Sequence, residues 1–412
     1  MKPTLSNKAT ILKHSKSPVR EIMDFANPAY FKTIGLDPAA VISFAGGWVN
    51  HKSPKELQQS YINIVKDADR FHLTGSYSPT IGFPECRQSI VHYEEYLFNM
   101  AGLRPENIVI GANSTQLTTN LMHVLLDHGD KVLLLDPSYC NYPAQIASVT
   151  DADILRFPVI DTNSWSYIAD QVIDDFIQFI LECKPKVILL VSPDNPTSQV
   201  PSDKFVSATL AAATEIGSFL VIDFAYKEIL FSNCYPAYYS WPPNDNYISL
   251  RSNSKWCRGL GRRMGWIEAP HWIVELLDSV QAASILCPDS LHQMAFVEYT
   301  ETAIKDNLLK PYLSDVNRRY KKASEITQAG IHSYLGLPCL ESQGGLYNCI
   351  KTGDDGSHFV DRVLKNTGVL FVPGWGFGET LRNAVRISCG PLVDDLEKIE
   401  FALQKVGQFL HA

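Results

Sequence analysis

Six short apolar runs constrain this chain more than any other feature: NIVIGA (107–112), KVLLLD (131–136), VILLVS (187–192), FLVIDF (219–224), YISLRS (247–252) and GWIEAP (265–270). They are rich in leucine and β-branched residues and do not alternate with polar ones. Strands of this kind are covered on both faces, as in a mostly parallel sheet flanked by helices. Such a sheet takes its ligands outside the carboxyl ends of its strands, so a site of an α/β chain is expected there. With 412 residues, 45% of them hydrophobic, the chain is long enough for two domains. From about Leu308 the helical pattern PYLSDVNRRYKKASEITQ leads into GGLYNCIK (344–351), GVLFVPG (368–374) and NAVRISCG (383–390). The predicted division is an N-terminal segment over 1–45 packing on the small domain, a large domain over 46–300 and a small α+β domain over 301–412.

The chemistry-bearing residues collect at the ends of those runs. RSNSKWCRGLGRRMG (251–265) places Lys255 three residues after Ser252 and eight before Arg263. Hydroxyl and guanidinium donors of this kind suit a phosphate, and a lysine held partly desolvated suits Schiff-base chemistry with a phosphorylated aldehyde. Upstream, SFLVIDFAYKE ends an apolar run at Asp223 with Tyr226 three residues later, and VILLVSPDNPTS ends another at Asn195-Pro196-Thr197. After NIVIGA, Asn113 is a helix N-cap, and the free amides of Ser114 and Thr115, with the positive end of the helix dipole, form an anion site.

These segments, in this order, resemble the fold-type I pyridoxal 5'-phosphate (PLP) enzymes, the class I and II aminotransferases. Separations of 28, 32 and 8 residues from Asn195 to Asp223, Asp223 to Lys255 and Lys255 to Arg263 are close to those of that family. S-P-V-R-E-I (17–22) and ISFAGG (42–47) look like its 2-aminoadipate and aromatic aminotransferase branch, where the backbone of Gly46 and Gly47 lies near the substrate carboxylate. Departures stand at Trp48-Val49, Asn113, Ser198 and Trp256-Cys257-Arg258, where the family more often has Leu-Pro, Gly, Gly and a glycine-led linker.

The resemblance implies a PLP-dependent transfer of the amino group of an L-amino acid to a 2-oxo acid, with Lys255 carrying the cofactor. Asp223 would keep the ring nitrogen protonated, and Tyr226 and Asn195 would hydrogen-bond the ring oxygen. Ser114, Thr115, Ser252 and Arg263 would hold the phosphate. So would Tyr77 of a neighbouring subunit, from a segment with Gly82 and Arg87 at family spacing, which makes a homodimer with shared sites the expected assembly. Tyr139 in Pro137-Ser138-Tyr139 would stack on the ring, with Tyr142 as the alternative. Arg386 in V-R-I-S would bind the α-carboxylate by its bidentate fork, with Gly47, Trp48 and Asn195 on the substrate side. Arg20 would be either a receiver of a distal carboxylate or a surface charge at a helix start.

The balance of 36 basic and 44 acidic residues disfavours a general nucleic-acid or anionic-membrane surface. Nine scattered cysteines with no C-x-x-C pair suit reduced thiols rather than a disulfide framework or a metal site. The start, MKPTLSNKATILKHSKSPVRE, has no apolar core of a leader, and no apolar run reaches membrane-spanning length. A cytoplasmic enzyme without a metal is expected. The same motifs would serve a PLP-dependent lyase, cyclase or oxidase acting on an amino acid such as an arginine derivative, because those reactions share the first proton abstraction.

Overall fold

The computed structural model describes residues 3, 4, 6 and 26–412. The Ser17–Ile22 pattern and Arg20 lie outside these residues. Strands β1 (Ile108–Gly111), β2 (Lys131–Asp136), β3 (Asp153–Pro158), β4 (Val187–Val191), β5 (Phe219–Phe224), β6 (Tyr247–Ser252) and β7 (Gly265–Glu268) form one sheet. Their order is β1-β7-β6-β5-β4-β2-β3. All pairs among β2 to β6 are parallel, while β7 is antiparallel to both β1 and β6. The loop from 253 to 264 contains no helix to cross a face of the sheet, so the chain returns beside β6 in the opposite sense.

Both faces are covered, as strands with continuous apolar runs require. Leu133, Leu135, Ile188, Leu190, Leu220 and Ile222 pack on one side with Tyr93, Trp256 and Trp266. Val132, Leu134, Val187, Leu189, Val221 and Ile248 pack on the other, against Leu117 and Leu121 of the helix Ser114–Leu125. The edge strand β3 has no counterpart among the six runs: its DILRFP sequence is only partly buried and carries no continuous apolar signal.

A second, three-stranded antiparallel sheet has the order β8 (Tyr347–Lys351), β10 (Ala384–Ser388), β9 (Val372–Pro373). Its core includes Val316, Tyr320 and Ala323 of the helix Leu309–Gly330 and Ile399, Leu403 and Val406 of the helix Leu396–Leu410. Residues Ile42–Ser43 pair in parallel with Val369–Leu370, and the amide of Ser388 donates to the carbonyl of Phe44 at 2.9 Å. The segment leading to Gly46-Gly47 is therefore tied to the strand that carries Arg386. No helix among the described residues is long and apolar enough to cross a membrane.

Candidate active site

At the carboxyl ends of β4, β5 and β6 lies a cavity of about 280 Å³. Its walls include Ser114, Thr115, Tyr139, Asn195, Asp223, Tyr226, Ser252, Lys255, Arg263, Gly47, Trp48 and Arg386, residues distant in sequence that the fold brings together. Asn113, Cys140, Tyr142, Leu260, Tyr347 and Phe377 also line it. Tyr77 is not in this wall and is 82% exposed.

Asp223 sits one residue before the end of β5, in register with Val191 of β4 and Leu250 of β6. Burial pushes its carboxyl up, opposed by the phenol of Tyr142, which donates to Oδ2 at 2.8 Å, and by the amide of Ala225, which donates to Oδ1 at 2.9 Å. Tyr142, the alternative for ring stacking, thus contacts the carboxylate. Its ring meets that of Tyr139 edge-on, with centroids 5.2 Å apart.

Lys255 leaves the loop after β6, and its Nζ donates to the carbonyl of Gly47 at 2.6 Å. Burial first, then the guanidinium groups of Arg386 and Arg263, push its amine down to about 8. A lysine near this value offers a neutral amine at modestly alkaline pH, which a solvated lysine does not. Lys227, three residues after β5, is fully buried elsewhere. Its Nζ pairs with Glu94 at 2.8 Å within a cluster that also holds Glu228, Arg251 and Glu268.

Arg386 is buried on β10 and donates from Nη1 to Oδ1 of Asn195 at 2.9 Å and from Nη2 to the carbonyl of Ala45 at 2.8 Å. Its guanidinium lies over the rings of Tyr347, at 4.4 Å, and Phe377, at 4.9 Å. Its Nε is a buried donor with no partner. Because Asn195 spends its oxygen on Arg386, its amide NH₂ remains a donor for the cavity.

Four of the departures, at Asn113, Ser198, Arg258 and Trp48, have visible local consequences. Asn113 has an extended φ of 179°, which requires no glycine, and its side chain caps the amide of Gln116 at 2.9 Å. Ser198 does take the left-handed conformation that favours glycine, with φ 57°, and its Oγ accepts from the amide of Tyr347 at 3.0 Å. Arg258, also left-handed at φ 53°, reaches the carbonyls of Asn50 and His51 and so ties the lysine loop to the segment after Trp48. The indole of Trp48 folds back onto Gly46, where a Cβ would lie 2.0 Å from the ring, so only glycine admits that arrangement.

The donor set matches PLP in kind. The first amides of the helix at Ser114 have no intrahelical acceptor and, with the hydroxyl of Ser252 and the guanidinium of Arg263, suit a phosphate. The closeness is enforced at Gly265, where a Cβ would come within 3.0 Å of the amide of Ser114. A buried carboxylate, two phenols and an amide are what a protonated pyridine ring with an oxygen substituent requires, and Lys255 supplies the amine. Among the described residues no group of three or more His, Cys, Asp or Glu side chains is arranged to hold a metal ion.

Sequence reasoning passed over Tyr347. An aromatic at the head of an apolar run, directly after Gly344-Gly345-Leu346, was the available signal, but nothing in the sequence distinguishes it from core.

Comparison with known proteins follows the same line. Residues 41–405 match the family described as aminotransferase class I and II. An aspartate aminotransferase of Pyrococcus horikoshii is 24% identical over 410 residues, 97% of each chain. Aromatic-amino-acid aminotransferase 2 of Thermococcus litoralis is 23% identical, covering 95% of each chain. The solved structure of aspartate aminotransferase from Thermus thermophilus with maleate superposes with a TM-score of 0.83 at 19% identity, over 99% of this chain and 100% of that one.

Proposed function

The chain belongs to the aminotransferase class I and II family, and on that premise we propose that it moves the amino group of an L-amino acid to a 2-oxo acid at the cavity around Lys255. The observation that carries this reading is one lysine, pushed down to about 8 and held against the Gly47 carbonyl, in the same cavity as the Asp223 carboxylate and the Arg386 guanidinium. PLP, when bound, supplies an aldehyde for that amine and a ring that withdraws electrons from the substrate Cα.

The residues divide the remaining work. Ser114 and Thr115 amides, the Ser252 hydroxyl and Arg263 would hold the phosphate, and the Asp223 carboxylate would keep a proton on the ring nitrogen. Tyr226 and the Asn195 amide would donate to the ring oxygen, and Tyr139 would cover the ring face. Arg386 fixes the α-carboxylate, with its Nε still available as a donor. The Lys255 amine would serve as the general base at the substrate Cα and then as the general acid. Trp48 and Gly47 border the space for the substrate side chain.

The assembly belongs to the same reading. The helix Ala68–Thr74 buries none of its residues, and Phe71, Leu73, Tyr77 and Leu286 stand exposed. A second copy covering this surface would bring Tyr77 to its neighbour's phosphate site. The division into 1–45, 46–300 and 301–412 would let the body carrying Arg386 close on the one carrying Lys255.

Borohydride reduction of the PLP-loaded protein followed by peptide mapping tests the anchor, with modification expected on Lys255. Modification on Lys227 or another lysine would reject it. Amino acid alone should convert the bound cofactor to its amine form and a 2-oxo acid should restore it. Loss of ammonia or uptake of oxygen without that exchange would reject transamination.

A further inference from the structure

Tyr347 touches three parts of the site at once. Its hydroxyl lies 2.5 Å from that of Tyr226, and its ring lies under the guanidinium of Arg386 at 4.4 Å. A Cβ on Gly47, whose carbonyl receives Lys255, would come within 2.9 Å of the same hydroxyl. The ring is almost fully buried, and its backbone amide is anchored on Ser198.

The proton count of the two phenols is informative. Two hydroxyls carry two protons, and the bond between them uses one. Neither hydroxyl has another partner among the described residues, so one O–H is left to point into the cavity. Burial keeps both phenols protonated by pushing them up. If Tyr226 is to donate to an oxygen in the cavity, its own oxygen must accept from Tyr347. A phenol that accepts a hydrogen bond is a stronger donor, because each bond in such a chain polarises the next.

We propose that Tyr347 is a positioning residue that donates to Tyr226, so that the Tyr226 O–H is aimed at the cofactor's ring oxygen, while its ring seats Arg386 for the substrate carboxylate. The proposal rests on the PLP reading above. It makes separate demands on the hydroxyl and on the ring. Loss of the hydroxyl weakens one neutral hydrogen bond at one remove and alters the cofactor's electronics. Loss of the ring disturbs the guanidinium and alters substrate capture.

The test is a pH titration of the visible absorbance of the PLP-loaded enzyme without substrate, beside steady-state kinetics. Tyr347→Phe should move the absorbance midpoint up by about 0.1–0.2 pH unit, the tenth to third of a modest hydrogen bond that polarisation contributes, with KM for the amino acid changed less than about twofold. Tyr226→Phe should move it at least as far, and adding Tyr347→Phe to that variant should move it no further. Tyr347→Leu, which removes the ring, should raise KM several-fold. An unchanged midpoint in Tyr347→Phe, or additive shifts in the double variant, would overturn the proposal. Wild-type protein that takes up no PLP would instead remove the reading beneath it.

Discussion

The phenol of Tyr142 donates to Oδ2 of Asp223 at 2.8 Å, across 81 residues of sequence. Burial raises the carboxyl, and this bond is the first of the contributions that pull it back. Removing the donor leaves burial less opposed, so the carboxyl becomes an anion only at higher pH. In Tyr142→Phe the acid limb of the kcat/KM profile should move to higher pH. Cα deprotonation at neutral pH should slow by roughly tenfold or more, the equivalent of the 1.5–3 kcal/mol of a charge-assisted hydrogen bond. Asp223→Asn should slow it further, by orders of magnitude, since an amide cannot sustain a pyridinium. Stopped-flow measurement of the first half-reaction checks both, and wild-type rates in Tyr142→Phe would remove this role.

Arg386 presents a planar fork seated on two aromatic rings. In Arg386→Lys the ammonium cannot reproduce the bidentate geometry, so KM for the amino acid should rise by roughly 10-fold to 150-fold, the equivalent of 1.5–3 kcal/mol. The cofactor should be retained, because the phosphate contacts come from other residues, while its absorbance should shift only modestly as Asn195 loses the bond from Arg386. Unaltered kinetics would separate Arg386 from the carboxylate.

Ser198 combines a left-handed φ of 57° with a hydrogen bond from the Tyr347 amide. Ser198→Ala keeps the strained backbone and loses the bond. Ser198→Gly loses the bond and relieves the strain. The alanine variant should therefore be the less stable of the two by about 1 kcal/mol, reversing the usual penalty of glycine. Chemical denaturation of both variants decides it, and a glycine variant less stable than the alanine one would contradict the account.

The exposed surface of Phe71, Leu73, Tyr77 and Leu286 should be buried in solution. Sedimentation should give at least a dimer, and Tyr77→Phe should release PLP faster during dialysis without altering Arg386-dependent KM. A monomer that retains full PLP would refute the shared site.

The α/β class with a mostly parallel sheet was legible because leucine-rich and β-branched runs report two-sided burial directly, a property each strand carries within its own few residues. The same local code was silent on β3, whose edge position leaves DILRFP half-covered, and on the reversed sense of β7, which follows from the conformation of the loop between 253 and 264 rather than from its own sequence. Strand-end residues such as Asp223 and Ser252 could be read as candidates from position alone. Only the tertiary structure decided which groups meet. Tyr142 reaches Asp223, Tyr347 reaches Tyr226 across 121 residues, and Asn195 gives its oxygen to Arg386 across 191. Hydrogen bonds between side chains that far apart depend on the packing of the two sheets and on Ser198 holding β8 in place. That information is distributed over the core and absent from any single motif.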